Sequence, residues 1–354
     1  MRNVRVAIYG FGAMGQGAAA MMLKKKGVEI AGIVNRSRYL GKEMREVFDE
    51  CGVGYPKTDH PKVVVTNKAE DVIFENNCDI VLHCTDSFTK ESMDKLELIL
   101  KNKLNCISIA EEMSWPWQQS PAEAEKLDRL AQENGVTILG TGINPGFILD
   151  YLIIAMTGVC EEVRAISARR VNDLSPFGKF VMQEQGVGIS VEEFEERKAA
   201  DAMTGHVGFP ESLAMIANAL GVTLEKVEQL RDPIVSKTRR EHPYAKVEPG
   251  SLAGIRQQGI GYVGGEAFIR LDHPQQIHPE IEGTKTGDYI NITGTPDISI
   301  STGPEIPGGI GTYSMAVNMI PHVINAGPGL KTMLDLPVPR AIVGDIRAHI
   351  KKLD

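Results

Sequence analysis

Of the 354 residues only five are cysteine, Cys51, Cys78, Cys84, Cys106 and Cys160, and no two form a Cys-x-x-Cys pair. That spacing excludes a disulfide framework and a zinc knuckle, and it fits thiols in a reducing cytoplasm. Eight histidines are scattered, with no His-x-x-x-His and no His/Asp cluster, so no metal site is expected. No Gly-x-Ser-x-Gly elbow is present, which leaves a nucleophilic hydrolase unsupported. No apolar run approaches the roughly 20 residues of a membrane span. A surplus of positive charge is also missing. The net charge of −8 argues against a nucleic-acid surface. Residues 1–5 lead straight into an apolar run, so no signal peptide is expected. There are no internal repeats and no low-complexity tracts, and the length suits two domains.

The informative stretch is the opening one, Val6-Ala7-Ile8-Tyr9-Gly10-Phe11-Gly12-Ala13-Met14-Gly15. An apolar run enters a Gly-x-Gly-x-x-Gly turn, and an alanine-rich helix follows as far as Lys24-Lys25-Lys26 and Gly27. A second apolar run, Val28 to Val34, completes a β-α-β unit. In a dinucleotide site Gly10 permits the turn, Gly12 lets backbone approach a pyrophosphate, and Gly15 packs helix on strand. The free N–H groups of the helix N-terminus, with Ala13 and Met14, then face the phosphates. An NAD site usually has Asp or Glu about 20 residues after the glycines. Here the second run ends in Asn35-Arg36-Ser37-Arg38. No carboxylate repels a 2′-phosphate, and two guanidiniums and a hydroxyl are at hand to bind one. NADP is favoured over NAD, with dual use open; a solvated basic loop is the alternative.

The first 150 residues read as a Rossmann domain, an α/β doubly wound parallel sheet. Val63-Val64-Val65 and Asp79 to Cys84 look like buried parallel strands, and the segment before them, from after Arg38 to Cys51, reads as a helix. Thr85 and Ser87 follow a strand's carboxyl end, as nicotinamide-ribose contacts or as a polar turn. Asn105 to Ala110 is the next strand and ends at Glu111-Glu112. Ser120-Pro121-Ala122-Glu123 has the pattern of a capping box. Val136 to Leu139 runs into Gly140-Thr141-Gly142-Ile143-Asn144-Pro145-Gly146-Phe147, with Asn144 expected to cap a helix from Pro145. That junction either holds substrate or links the domains.

Residues 151–312 change grammar and read as an α+β substrate and dimerisation domain. Val163 to Val171 is strand-like, Ser190-Val191-Glu192-Glu193 is a second capping-box pattern, and runs between 255 and 301 suggest antiparallel strands. Residues 313–354 form a C-terminal helical segment expected to pack back near the cleft. Its apolar helix is kinked at Pro321 and carries Asn318 and His322 on one face.

Glu111 and Glu112 are the acid/base candidates. A carboxylate beside a nicotinamide can hold a substrate ammonium, take its proton and activate water. If the side chains alternate, only one faces the cleft; the sequence leaves both open, and surface or salt-bridged glutamates are the alternative. Arg170, with Arg169, is a candidate carboxylate clamp or a solvated strand edge. Trp115 and Phe147 are candidates for an apolar substrate wall, and Asn144 and His322 for polar contacts, though His322 and Asn318 suit a structural role better.

The whole chain resembles the 2,4-diaminopentanoate dehydrogenases, enzymes of ornithine breakdown. The shared segments are Gly10 to Gly15, Ile109-Ala110-Glu111-Glu112-Met113-Ser114-Trp115-Pro116-Trp117, Gly142 to Phe147, and Ala316-Val317-Asn318-Met319-Ile320-Pro321. The Glu-Glu-x-x-Trp-Pro-Trp and Asn-Pro-Gly-Phe segments are more specific than the glycine motif. The resemblance implies oxidative deamination of the 4-amino group, giving 2-amino-4-oxopentanoate, ammonia and reduced NAD(P); a homodimer is the base expectation. Native amine dehydrogenases look similar, and the architecture also resembles dihydrodipicolinate reductases and diaminopimelate dehydrogenases. The reductases' paired-histidine motif is absent: Arg239-Arg240-Glu241-His242-Pro243 holds one histidine. A dinucleotide-sensing protein without catalysis is the alternative outside enzymes. No macromolecular partner is implied.

Overall fold

The opening run forms β1 (Val4–Tyr9), whose Val4, Val6, Ala7 and Ile8 are fully buried, and it turns through the glycines into α1 (Ala13–Met22). The computed structural model describes residues 1–57 and 60–351. The chain divides into two units, Met1–Phe147 joined by the segment from Pro307 on, and Ile148–Ile306.

In the first unit β1 and α1 are followed by β2 (Val28–Val34), α2 (Met44–Cys51), β3 (Val65–Thr66), β4 (Ile80–His83) and α3 (Thr89–Lys101). Then come β5 (Asn105–Ser108), α4 (Pro121–Glu133) and β6 (Thr137–Gly140). The strands lie in the order β3-β2-β1-β4-β5-β6, every neighbouring pair parallel. This is the doubly wound dinucleotide-binding order, whose ligand crevice opens where β1 and β4 diverge. Strands covered on both faces need apolar residues at every position, and β4 (Ile80, Val81, Leu82, His83) is buried throughout. Val81, Cys106 and Ile138 of three adjacent strands pack with Leu96 of α3 and Leu127 of α4.

The second unit begins with α5 (Tyr151–Thr157), β7 (Glu162–Asp173), α6 (Lys179–Glu184), α7 (Val191–Ala199) and α8 (Phe209–Leu220). It continues with β8 (Lys226–Val235), the hairpin β9 (Arg240–His242) and β10 (Ala245–Val247), then β11 (Leu252–Val263), β12 (Glu266–Gln276), β13 (Gly287–Thr295) and β14 (Ile298–Thr302). Its six-stranded sheet runs β14-β13-β7-β12-β11-β8. Four pairs are antiparallel, β11-β12 and β13-β14 among the expected runs, but β7 and β12 are parallel, so the sheet is mixed.

The chain then returns to the first unit with α9 (Gly308–Asn325) and β15 (Gly329–Lys331). β15 pairs parallel with β6 as a seventh strand. The boundaries expected at 150 and 312 therefore move to 147 and 306. The C-terminal segment is part of the Rossmann unit itself, because β15 finds its backbone partners on β6 and α9 packs on α1. The ring of Tyr313 sits where a side chain at Gly17 would go.

Three local expectations are corrected. No helix begins at Pro145: residues 144–150 are turns, and α5 starts at Tyr151, whose N–H donates to the Asp150 carboxylate at 2.6 Å. The side chain of Ser120 makes no cap bond on α4. A reciprocal capping box forms at Glu43 and Glu46 on α2, which starts at Met44. The second pattern does cap α7, with Ser190 Oγ accepting from Glu193 N–H.

Arg170 is not on a strand edge. β7 lies inside the sheet, and Arg170 is 2% exposed. Its Nη1 donates to Asp288 Oδ1 and its Nη2 to the Ile306 carbonyl, both at 2.5 Å. Asp288 Oδ2 accepts from Thr302 Oγ1 and Ile306 N–H. Burial lowers the Arg170 pKa, and Asp288 opposes that. With both terminal nitrogens engaged, Arg170 joins β7 to the end of its own unit and is no substrate clamp. Arg170→Met strands a buried carboxylate, so it should cost about 3–5 kcal/mol in denaturant unfolding. A loss below about 1 kcal/mol would refute the structural role.

Candidate active site

The glycine turn is built by close approach. A Cβ at Gly10 (φ +105°) would lie 2.5 Å from the Cys84 carbonyl oxygen, and one at Gly15 would lie 2.0 Å from the Gly10 carbonyl oxygen. Both positions exclude a side chain because backbone already occupies the space. At Gly12 a Cβ would meet nothing within 4 Å. Gly12 borders a cavity of about 1090 Å³ at the carboxyl edge of the sheet. Gly10, Gly12, Ala13, Asn35, Arg36, Ser37, Arg38 and Thr85 all line it. Eight of the expected cofactor residues thus converge on one space. Gly15 packs behind them, and Met14 sits on α1 within reach of Gly309 on α9. The open backbone at Gly12, the N-terminus of α1 and the paired guanidiniums fit a dinucleotide's pyrophosphate and adenosine end.

Asn35 shapes the β2 end. Its Oδ1 accepts from Phe11 N–H at 3.2 Å and its Nδ2 donates to the Arg38 carbonyl at 2.9 Å, which ties the Arg36–Arg38 loop to the glycine turn. The cavity also takes in Gln16, Tyr39, Asp86, Lys95 and Tyr313, which sequence reasoning missed. Lys95 Nζ donates to Asp86 Oδ2 at 2.6 Å. Burial pushes the Asp86 carboxyl up, but bonds from the His83 side, Lys95 and Thr85 outweigh it and hold that carboxyl well below the usual range. Only the i,i+9 spacing of Asp86 and Lys95 across the start of α3 hints at this pair in the sequence.

The glutamates that end β5 divide sharply. Both lie in a 3-10 turn, Glu111–Ser114. Glu112 is 7% exposed. Its Oε2 accepts from Thr89 N–H, the first residue of α3, at 2.8 Å, and its Oε1 from Gln119 Nε2 at 3.3 Å. Its own N–H donates to the Ser87 carbonyl at 3.1 Å. Glu112 is therefore a carboxylate at a helix N-terminus that clamps the 87–89 turn. Glu111 is half-buried. Burial pushes its carboxyl up to about 7; bonds from its own backbone and the Ser87 side chain oppose that, and the nearby Glu112 adds to it. Ser87, expected at the nicotinamide ribose, has its side chain on Glu111.

Trp115 closes the same turn and meets Trp117 edge-on, with ring centroids 5.5 Å apart. Asn144 and Phe147 leave the neighbouring strand edge, since Ser108 of β5 pairs with Gly140 of β6 and Thr141 N–H donates to the Ser108 carbonyl. Both are half-buried. His322 is 5% exposed, with Nε2 3.3 Å from Arg340 Nη1. Burial, with Arg340 and His349 adding to it, lowers its pKa. It packs α9 against the C-terminal tail, the structural role that suits it better. Among the described residues, no group of three or more His, Cys, Asp or Glu is placed to hold a metal, and no helix is long and apolar enough to cross a membrane.

A doubly wound sheet with a glycine turn, a nucleotide-sized cavity and a tuned carboxyl on the same edge defines a Rossmann oxidoreductase. The comparisons narrow the class. Residues 147–352 match the family model for the 2,4-diaminopentanoate dehydrogenase C-terminal domain. The chain is 54% identical over 353 residues to a 2,4-diaminopentanoate dehydrogenase from Acetoanaerobium sticklandii, covering 99% of this chain and 98% of that one. It belongs to the 2,4-diaminopentanoate dehydrogenase family. In fold it is similar to an amine dehydrogenase from Mycobacterium smegmatis (TM-score 0.83, 24% identity, 96% and 98% of the two chains). It is also similar in fold to a biliverdin reductase from Synechocystis sp. PCC 6803 solved with biliverdin and NADP+ (TM-score 0.51, 14% identity, 90% of each chain).

The glycines give a test that separates folding from binding. Gly15→Ala forces backbone apart and should cost roughly 1–3 kcal/mol of stability. Gly12→Ala should leave the melting temperature unchanged and weaken NADPH binding, read by fluorescence, by about tenfold or more, equivalent to about 1.4 kcal/mol. Unchanged binding in Gly12→Ala would refute the placement of the dinucleotide.

Proposed function

We propose that the chain catalyses NAD(P)-dependent oxidative deamination of the 4-amino group of 2,4-diaminopentanoate to 2-amino-4-oxopentanoate and ammonia, with Glu111 as the acid/base. The observation that carries the reading is Glu111. It is a carboxyl brought to about 7 just after β5, on the same carboxyl edge of the sheet as the cavity, in a chain of this family. A base poised near the working pH can both take and return a proton.

Glu111 as carboxylate holds the C4 ammonium and removes its proton, freeing the nitrogen lone pair. When bound, the nicotinamide supplies the acceptor for the C4 hydride. Glu111 passes that first proton to solvent, then orients a water at the resulting C4=N carbon and takes a proton from it as the C–O bond forms. It returns this proton to the carbinolamine nitrogen, the C4–N bond breaks to release ammonia, and loss of the hydroxyl proton leaves the ketone. Ser87, on the Glu111 carboxyl, keeps it aimed. Trp115 and Phe147 supply an apolar wall that limits bulk water, and Asn144 a polar contact for substrate. Glu112 holds the turn.

NADP is the preferred cofactor and NAD is also used. Arg36, Ser37 and Arg38 stand at the β2 end with no carboxylate among residues 35–38 to repel a 2′-phosphate. The five cysteines are free thiols, which suits work in a reducing cytoplasm. The expected assembly is a homodimer.

Purified protein should reduce NADP with 2,4-diaminopentanoate and release one ammonia per reduced nucleotide. Arg36→Ala with Arg38→Ala should raise KM for NADP by about tenfold or more while changing that for NAD little, as expected when charge-assisted phosphate bonds are lost. Reduction with simple amines alone would move the protein to a broader amine dehydrogenase. No turnover with any amine while NADPH still binds would replace the enzyme reading with a dinucleotide sensor.

A further inference from the structure

One buried imidazole joins the cavity to the Glu111 turn. His83 ends β4 and is fully buried. Its Nδ1 lies 2.9 Å from Ser108 Oγ on β5, and its Nε2 lies 2.7 Å from Thr85 Oγ1. Thr85 Oγ1 donates to Asp86 Oδ2 at 2.5 Å, and Lys95 donates to the same oxygen. At the other end, Ala110 N–H donates to Ser108 Oγ at 3.2 Å.

The direction of each bond follows from the carboxylate. Asp86 can only accept, so Thr85 uses its one proton there and accepts from His83 Nε2–H. Burial lowers the His83 pKa against the pull of Asp86, which favours the neutral ring. Its bare Nδ1 then accepts from the Ser108 hydroxyl. A Ser-His-Asp nucleophile is excluded by the burial of Ser108, which is 0% exposed.

Both ends reach the functional elements. Thr85, Asp86 and Lys95 line the cavity. Thr85 Cγ2 lies 2.8 Å from where a Gly10 Cβ would sit, so fixing the hydroxyl also fixes the methyl against the glycine turn. Ala110, held by Ser108, is the residue before Glu111. Ile109 N–H donates to the His83 carbonyl at 3.0 Å.

We infer that His83 is a positioning residue that couples the dinucleotide cavity to the Glu111 turn, its Nε2 side acting on cofactor affinity and its Nδ1 side on Glu111. The catalytic meaning of this coupling rests on the dehydrogenase reading above; the coupling itself does not.

Two substitutions cut the arms separately. In His83→Asn the side-chain oxygen reaches the Nδ1 position, keeping the Ser108 bond and losing Thr85. In His83→Gln the amide reaches the Nε2 position, keeping Thr85 and losing Ser108. Two readouts need no turnover: NADPH affinity by fluorescence, and the Glu111 titration by its infrared carboxyl band, identified by its loss in Glu111→Gln. His83→Asn should weaken NADPH binding about tenfold, the effect of about one hydrogen bond, and leave the Glu111 titration in place. His83→Gln should keep NADPH binding within about twofold and move the Glu111 titration from about 7 toward the ordinary carboxylate range as the turn loosens and water enters. Thr85→Val and Ser108→Ala should reproduce the two patterns in turn, and they decide the matter if a His83 variant fails to fold. Parallel changes in both readouts, or no change in either, would overturn the inference. Wild-type protein that binds NADPH but does not deaminate 2,4-diaminopentanoate would defeat the functional reading and leave these two measurements to decide the coupling.

Discussion

The carboxylate of Glu112 on the first N–H of α3 is the contact on which the site depends. It is a charge-assisted bond at a helix N-terminus, buried and supported by Gln119. Such a bond is worth roughly 1.5–3 kcal/mol, more than a neutral one. Its value here is geometric. It binds the turn after β5 to the start of α3 and, through Glu112 N–H on the Ser87 carbonyl, to the turn after β4. Two adjacent strand ends are thereby held as one surface, and Glu111 stands on it.

Two neighbouring glutamates are thus given different work by their surroundings. Glu112 faces backbone and amide donors that satisfy a negative charge. Glu111 faces protein that removes water from it, with a bond from its own backbone and one from the Ser87 hydroxyl as partial compensation. Separating two carboxyls by environment is a usual way for an enzyme to obtain a base near neutral pH. The same edge of the sheet carries the cavity, because parallel strands place their carboxyl ends, and the helix N-termini that follow, on one side.

Local features of this arrangement could be read from the sequence. The glycine turn, the apolar strands and the basic end of β2 announce themselves within a few residues, since spacing and residue type suffice. The glutamate pair was visible as a pair. Which member is tuned was not, because the answer lies in Thr89 and Gln119, separated from Glu112 by 23 and 7 residues. Arg170 misled for the same reason: its partner Asp288 is 118 residues away. His83 gave no signal at all, being one histidine at the end of an apolar strand. β15 is three residues long, and only its pairing with β6 marks it as part of the Rossmann sheet. The turns at 144–150 defeated a reading of Asn-Pro as a helix start, because Asp150 supplies the cap six residues later.

The central claim is that Glu111, and not Glu112, exchanges the proton. The most direct measurement is the pH dependence of kcat/KM in wild type, Glu111→Gln and Glu112→Gln. A base must be ionised to act, so wild-type activity should fall as pH drops through about 7, where burial has placed Glu111. Glu112→Gln should keep that acid limb, because an amide oxygen can still accept from Thr89. Glu111→Gln should lose the limb and about 10²–10⁴-fold in turnover. A limb that survives in Glu111→Gln and vanishes in Glu112→Gln would contradict the account.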